Sequence, residues 1–203
     1  MIKVNDSLVE MQQKQRRADF NFVIFLLLVV FIIFSIVGIN NNYIKSVYVS
    51  GASMMSTLKD KDVLFMDIHT ESQNGDIIVI KGEKSNGEWI IKRQIAVGEK
   101  DRTVIVQIKD GKVYVDGNML EEPYLDLGVD TKYYGKNYWE LKENEIFYLG
   151  DNRNDSSDSR REYDTCTREQ VVGVVHDWAL EMKWLSKGLY NLGEHFRNLF
   201  KIK

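Results

Sequence analysis

From Phe22 to Ile39 the chain carries no charged residue, and most side chains there are Phe, Ile, Leu or Val. That run limits the rest. Its 18 residues, at about 1.5 Å each as a helix, cover about 27 Å, close to the roughly 30 Å hydrocarbon core of a bilayer. It is apolar on all faces, unlike a helix that buries one stripe in a soluble core. A cleavable leader has a shorter apolar region and a small-x-small site, and Ser35 and Gly38 do not fit that spacing. Residues 20–40 are therefore expected to form a retained transmembrane helix. Lys14, Arg16 and Arg17 precede it, which puts the segment 1–19 in the cytoplasm and everything after about Asn40 outside.

The remainder suits one extracytoplasmic domain over 41–178 with a helical tail over 179–203. Tyr43–Ser50, Val63–Ile68, Ile77–Lys81, Trp89–Val97, Thr103–Lys109, Lys112–Val115 and Ile146–Leu149 are short β-branched or aromatic runs, so the fold class is mainly β. Asp110-Gly111 and Asp116-Gly117 are two-residue turn signals, which predicts a meander around 103–120. Residues 126–145 read as a long polar loop. In the tail, Trp178, Met182, Leu185, Leu189, Leu192, Phe196 and Leu199 alternate at spacings of four and three, one stripe of an amphipathic helix. Such a helix can pack on the domain, lie on a membrane or pair with another helix.

Composition removes several chemistries. The formal charge of −3 gives no general attraction for nucleic acid, and none is expected as a partner. One cysteine, Cys166, excludes an internal disulfide and a cysteine-rich zinc site. The histidines, His69, His176 and His195, are scattered without metal-ligand spacing, so no metal or other cofactor is expected. They also leave no recognisable base for a serine nucleophile.

Ser53 lies in Ser50-Gly51-Ala52-Ser53-Met54-Met55-Ser56-Thr57-Leu58, just after the strand expected over Tyr43–Ser50. An isolated Gly-x-Ser is usually only a serine-rich loop. This one is followed by Gly75-Asp76-Ile77-Ile78-Val79, by Ile90-Ile91-Lys92-Arg93-Gln94-Ile95, by Asp116-Gly117 with Glu122-Pro123-Tyr124-Leu125, and by Gly150-Asp151-Asn152-Arg153 running on to Ser156, Asp158 and Arg160. In kind and order these boxes resemble those of the type I signal peptidases, membrane-bound serine proteases with a Ser/Lys dyad. The resemblance covers residues 50–160.

It implies an endopeptidase that removes signal peptides, with Ser53 as nucleophile and Lys92 as general base. Ser156 would hydrogen-bond the lysine, Asp158 and Arg160 would form a bracing salt bridge, and Asp151 and Arg153 would hold the loop. The chemistry is consistent: a lysine serves as a base near neutral pH only when burial disfavours its ammonium. Strand alternation puts Ile90 and Lys92 on one face, able to be the dry one, and Arg93 on the other. The backbone N–H of Ser53 would serve the oxyanion, with Gly51 supplying no side-chain donor. Val49, Met54 and Ile90 are candidate pocket walls. The implied partners are preprotein signal peptides with small residues at −3 and −1, membrane lipid, and the neighbourhood of the secretion translocase.

Three stretches depart from the family pattern. Ser56 stands in place of a proline, and Ser56→Pro is expected to be tolerated if the local backbone suits it. Residues 96–101 and 161–166 lack the usual proline- and glycine-rich links. They suggest a narrower client set, such as pilus or other dedicated surface proteins. Two other readings remain at this level: a self-cleaving Ser/Lys protease of the repressor type, and a non-cleaving preprotein or pilin assembly factor of the same fold. The anchor and the Gly150–Arg160 box disfavour the first, and the presence of both dyad residues disfavours the second.

Overall fold

The computed structural model describes residues 2–82, 88–161 and 164–199, without the side chains of 2–10, 12, 33, 34, 36–42 and 196–199. The chain divides into two compact units, Met1–Tyr43 and Ile44–Lys203. The first is one helix, α1 (Ile2–Asn42), which continues through the polar residues before the apolar run. From Phe20 to Ile32 its large apolar side chains are mostly exposed. The span expected over 20–40 includes side chains outside the described residues, and among the described residues no helix is long and apolar enough to cross a membrane.

The second unit is built on strands β1 (Ile44–Tyr48), β2 (Val63–Asp67), β3 (Ile77–Lys81), β4 (Trp89–Val97), β5 (Val104–Lys109), β6 (Lys112–Val115), β7 (Asn118–Met119), β8 (Tyr138–Leu141), β9 (Glu145–Leu149), β10 (Cys166–Thr167) and β11 (Val171–Val175). Seven form one antiparallel sheet in the order β1-β2-β11-β3-β4-β9-β10, and four form another in the order β7-β6-β5-β8. β3 and β4 are buried on both faces, which is why Ile77-Ile78-Val79-Ile80 is continuously apolar. One face of the large sheet packs Ile77, Val79 and Ile91 with Val47, Val49, Met54 and Leu58. Its other face gathers Ile78, Ile80, Tyr148 and Val174. The small sheet alternates, and its inner row of Val104, Val106, Ile108, Trp139 and Leu141 closes over Ile95, Ala96, Phe147 and Leu149. Each such buried side chain contributes roughly 1.5–3 kcal/mol. The expected meander is present, and Asp110, Gly111, Asp116 and Gly117 all have positive φ, as its tight turns require.

Three local expectations need correction. Residues 126–145 are not all loop, because β8 pairs with β5 and buries Trp139 and Leu141. The run Val171–Val175, absent from the expected strands, forms β11 inside the large sheet, between β2 and β3. The tail is two helices, α2 (Asp177–Glu181) and α3 (Lys183–Leu199), with the break at Met182. Ala179, Leu180 and Leu185 pack into the first core, and Ser186 donates to the carbonyl of Val63. Farther along, Leu189 and Leu192 are exposed, while Phe196 and Leu199 lie outside the described side chains.

Candidate active site

β4 is paired along its whole length with β3 or β9, but not on both sides throughout. β3 runs against Trp89–Arg93, and β9 joins on the other edge only from Arg93 onward. Residues 89–92 therefore have no strand partner on that second edge among the described residues. Lys92 lies in this half-open stretch and is 4% exposed. Its Nζ donates to Ser53 Oγ at 2.8 Å and to the carbonyl of Ile91 at 3.0 Å. Burial lowers the lysine pKa to about 8, against the partial opposition of the Asp158 and Asp151 charges. A substantial neutral fraction then exists near physiological pH, so its lone pair can accept the serine proton.

Ser53 is held in a compact turn that follows β1. Met55 N–H donates to Ala52 O at 2.9 Å and Leu58 N–H to Met54 O at 2.8 Å, with Met54 and Leu58 as buried anchors. Gly51 has φ of 92° and its N–H donates to Asp60 Oδ1 at 2.9 Å. The turn is clamped from the far end of the sequence: Asn152 N–H donates to Ser53 O at 3.0 Å, and Asn152 Nδ2 to Ala52 O at 3.1 Å. The N–H of Ser53 itself makes no hydrogen bond among the described residues.

The separately spaced sequence boxes are tied together by buried ion pairs. Arg93 makes a two-pronged pair with Asp151, donates to Gly75 O at 2.7 Å and lies 3.8 Å from the centre of the Tyr124 ring. Thr57 also donates to Asp151. Arg153 pairs with Glu122 and donates to Thr131 and to Gly150 O. Arg160 pairs with Asp158 through Nε and a terminal nitrogen, both at 2.8 Å. Burial opposes ionisation of Asp158, but Arg160 and the Gly150 N–H more than offset it and hold the carboxyl below the usual range. Removing one partner of such a pair typically costs 3–5 kcal/mol. Arg93, Arg153, Asp151, Asp158 and Arg160 thus tie together the loops next to Ser53 and Lys92.

Ser156 is brought to the site without the bond expected of it. Its Oγ is buried and meets no hydrogen-bond partner among the described residues, although it lies near enough to Asp158 to help keep that carboxyl low. It also crowds Gly150: a Cβ there would lie 2.2 Å from Ser156 Oγ and 2.4 Å from Ser53 O. The expected walls do converge. A cleft of about 170 Å³ is lined by Val49, Met54 and Ile90 together with Ser53 and Lys92.

The exit from the serine turn corrects the expectation for Ser56. Its φ is 79°, a left-handed conformation closed to proline, whose ring requires about −65°. Ser56→Pro is therefore expected to destabilise the fold by more than about 1 kcal/mol. Ser56→Gly, which accepts the positive φ but loses the hydroxyl bond to Tyr124, should change stability by less than about 1 kcal/mol. Urea unfolding of the two variants checks this, and a proline variant as stable as the parent would contradict it.

The sequence reading named Ser53 and Lys92, which the structure brings together, but not Glu122, Thr57 and Asn152 as supports. Glu122 had a signal, since it opens the Glu-Pro-Tyr-Leu box. Thr57 and Asn152 act through pairings 94 and 100 residues away in the chain, which no local pattern announces.

A family model described as signal peptidase, peptidase S26, matches residues 21–178. Signal peptidase I T of Bacillus subtilis (strain 168) is 34% identical over 139 residues, covering 62% of this chain and 68% of that protein. A signal peptidase I of Bacillus amyloliquefaciens is 32% identical over 137 residues, with the same coverage of 62% and 68%. Signal peptidase I U of Bacillus subtilis (strain 168) is 28% identical over 174 residues, covering 80% of this chain and 88% of that protein.

Proposed function

The chain belongs to the signal peptidase family, peptidase S26, and we propose that it is anchored in the membrane and cuts N-terminal signal peptides from exported proteins with Ser53 as nucleophile and Lys92 as general base. The enzyme class follows from membership: this is a serine protease of the signal peptidase I type. The observation that carries the residue roles is the 2.8 Å contact between Ser53 Oγ and a lysine that is 4% exposed.

Neutral Lys92 takes the proton from Ser53 as Oγ attacks the scissile carbonyl. The developing oxyanion is met by the uncommitted N–H of Ser53. Lys92, now an ammonium, gives its proton to the departing amine as the peptide bond breaks and leaves an acyl-enzyme. Lys92 then takes a proton from the water that hydrolyses it and returns that proton to Ser53 Oγ as the acyl bond breaks. The buried Ser156 hydroxyl engages the ammonium during these steps. Asp158 and Arg160 keep the surrounding loop in register.

The signal peptide lies as an extended strand along the free edge at 89–92, its small −1 and −3 side chains toward Val49, Met54 and Ile90. The apolar run Phe22–Ile39 crosses the membrane with residues 1–19 in the cytoplasm, so the site works outside, near the secretion translocase. Purified full-length protein in detergent should cut a preprotein bearing Ala at −3 and −1, and mass spectrometry should find the new N-terminus at +1. Ser53→Ala should leave that preprotein whole. Equal cleavage by the parent and Ser53→Ala would refute the assignment.

A further inference from the structure

An endopeptidase has to seat its substrate on both sides of the bond it cuts. The cleft holding Val49, Met54 and Ile90 serves the residues before that bond. A second cleft, of about 300 Å³, begins two residues past the nucleophile, with Met55, Ser56, Asp126, Val129 and Asn152 among its walls. Asn152 belongs to this cleft and also holds the carbonyls of Ala52 and Ser53, so the cleft abuts the serine turn directly. Its charged walls differ in state. Asp151 is taken up by Arg93, and Arg153 by Glu122. Asp126 is exposed and joins no ion pair or side-chain hydrogen bond among the described residues. Met55, 47% exposed, and the half-buried Val129 supply apolar surface beside it.

We propose that this cleft receives the first residues of the mature chain and that Asp126 selects a basic side chain at +1 or +2. The inference rests on the peptidase reading above. A carboxylate with no internal partner gains from a substrate cation and repels a substrate anion. Because the pair would be exposed to water, the discrimination is about two- to five-fold per charge step.

The test uses the full-length protein in detergent and peptides with Ala at −3 and −1 that carry Lys, Gln or Glu at +1 or at +2. The parent should show kcat/KM in the order Lys, Gln, Glu at one of these positions. Asp126→Asn should flatten that order, and Asp126→Lys should invert it by speeding cleavage of the Glu peptide, a gain that misfolding cannot produce. Asp101→Asn, a surface change elsewhere, should leave the order intact. A parent blind to charge, an order that survives Asp126→Asn, or equal flattening by Asp101→Asn would each overturn the inference while leaving the peptidase reading in place. Failure of the parent to cut any peptide would remove the peptidase reading, and the inference with it.

Discussion

Lys92→Met is expected to abolish cleavage and, at pH 7, to make the fold more stable. The two effects have one cause. Folding takes the Lys92 ammonium out of water, which lowers its pKa from 10.5 to about 8. Below pH 8 the lysine is protonated in both folded and unfolded chains, and the folded state bears the whole desolvation cost, of order 3 kcal/mol. Between about pH 8 and 10.5 the unfolded chain binds the extra proton, so stability rises with pH across that window. Methionine removes the buried charge with little change in volume and should recover much of that cost at pH 7. Lys92→Arg should also be inactive, since a guanidinium stays protonated and cannot act as a base. Urea midpoints at pH 7 and 10, beside turnover of a signal-peptide substrate, check both halves. A Lys92→Arg enzyme cutting at the parent rate, or a Lys92→Met protein destabilised at pH 7, would contradict the account.

Gly150→Ala should nearly stop turnover. The added methyl would meet Ser156 Oγ and the Ser53 carbonyl at 2.2 Å and 2.4 Å. The Ser156 hydroxyl can rotate, but its Cβ, 2.6 Å away, and the Ser53 backbone carbonyl cannot, so the nucleophile turn must move. Overpacking of this kind costs about 1–3 kcal/mol of stability. A displacement of about 1 Å at the nucleophile costs about 100-fold in rate. Pairing the substitution with Ser156→Gly removes both Ser156 atoms from the clash and should restore part of the stability but little of the rate, because the Ser53 carbonyl remains in the way. Steady-state kinetics and thermal unfolding of the single and double variants separate the two effects. Parent-like kcat in Gly150→Ala would show that the turn tolerates the shift.

Where local chemistry decides the structure, the sequence was readable. The Asp-Gly turns at 110–111 and 116–117 demand positive φ and mark the meander, and the β3 run Ile77–Ile80 is apolar because both its faces are covered. Ser53 and Lys92 were legible through their boxes, and the apposition that joins them depends on strand register. Distant pairing was not legible. β11 enters the large sheet from nearly a hundred residues beyond β3, and Trp139 finds its place only when β8 meets β5. Ser56 misled because its family position suggests proline geometry, whereas its conformation is set by the turn and by Tyr124, whose carbonyl accepts its hydroxyl. Nor could alternation along β4 foresee that Arg93, opposite Lys92, would also be buried, because its burial depends on Asp151 and Tyr124 arriving from other loops.

The pH dependence of kcat/KM for a signal-peptide substrate with uncharged residues around the cut tests the central claim most directly. If Lys92 is the base, the rate should rise about tenfold per pH unit below the midpoint and level off above it, with the midpoint near the 8 set by burial. A profile flat from pH 6 to 9, or a midpoint at the 10.5 of an ordinary lysine, would contradict a buried neutral Lys92 acting on Ser53.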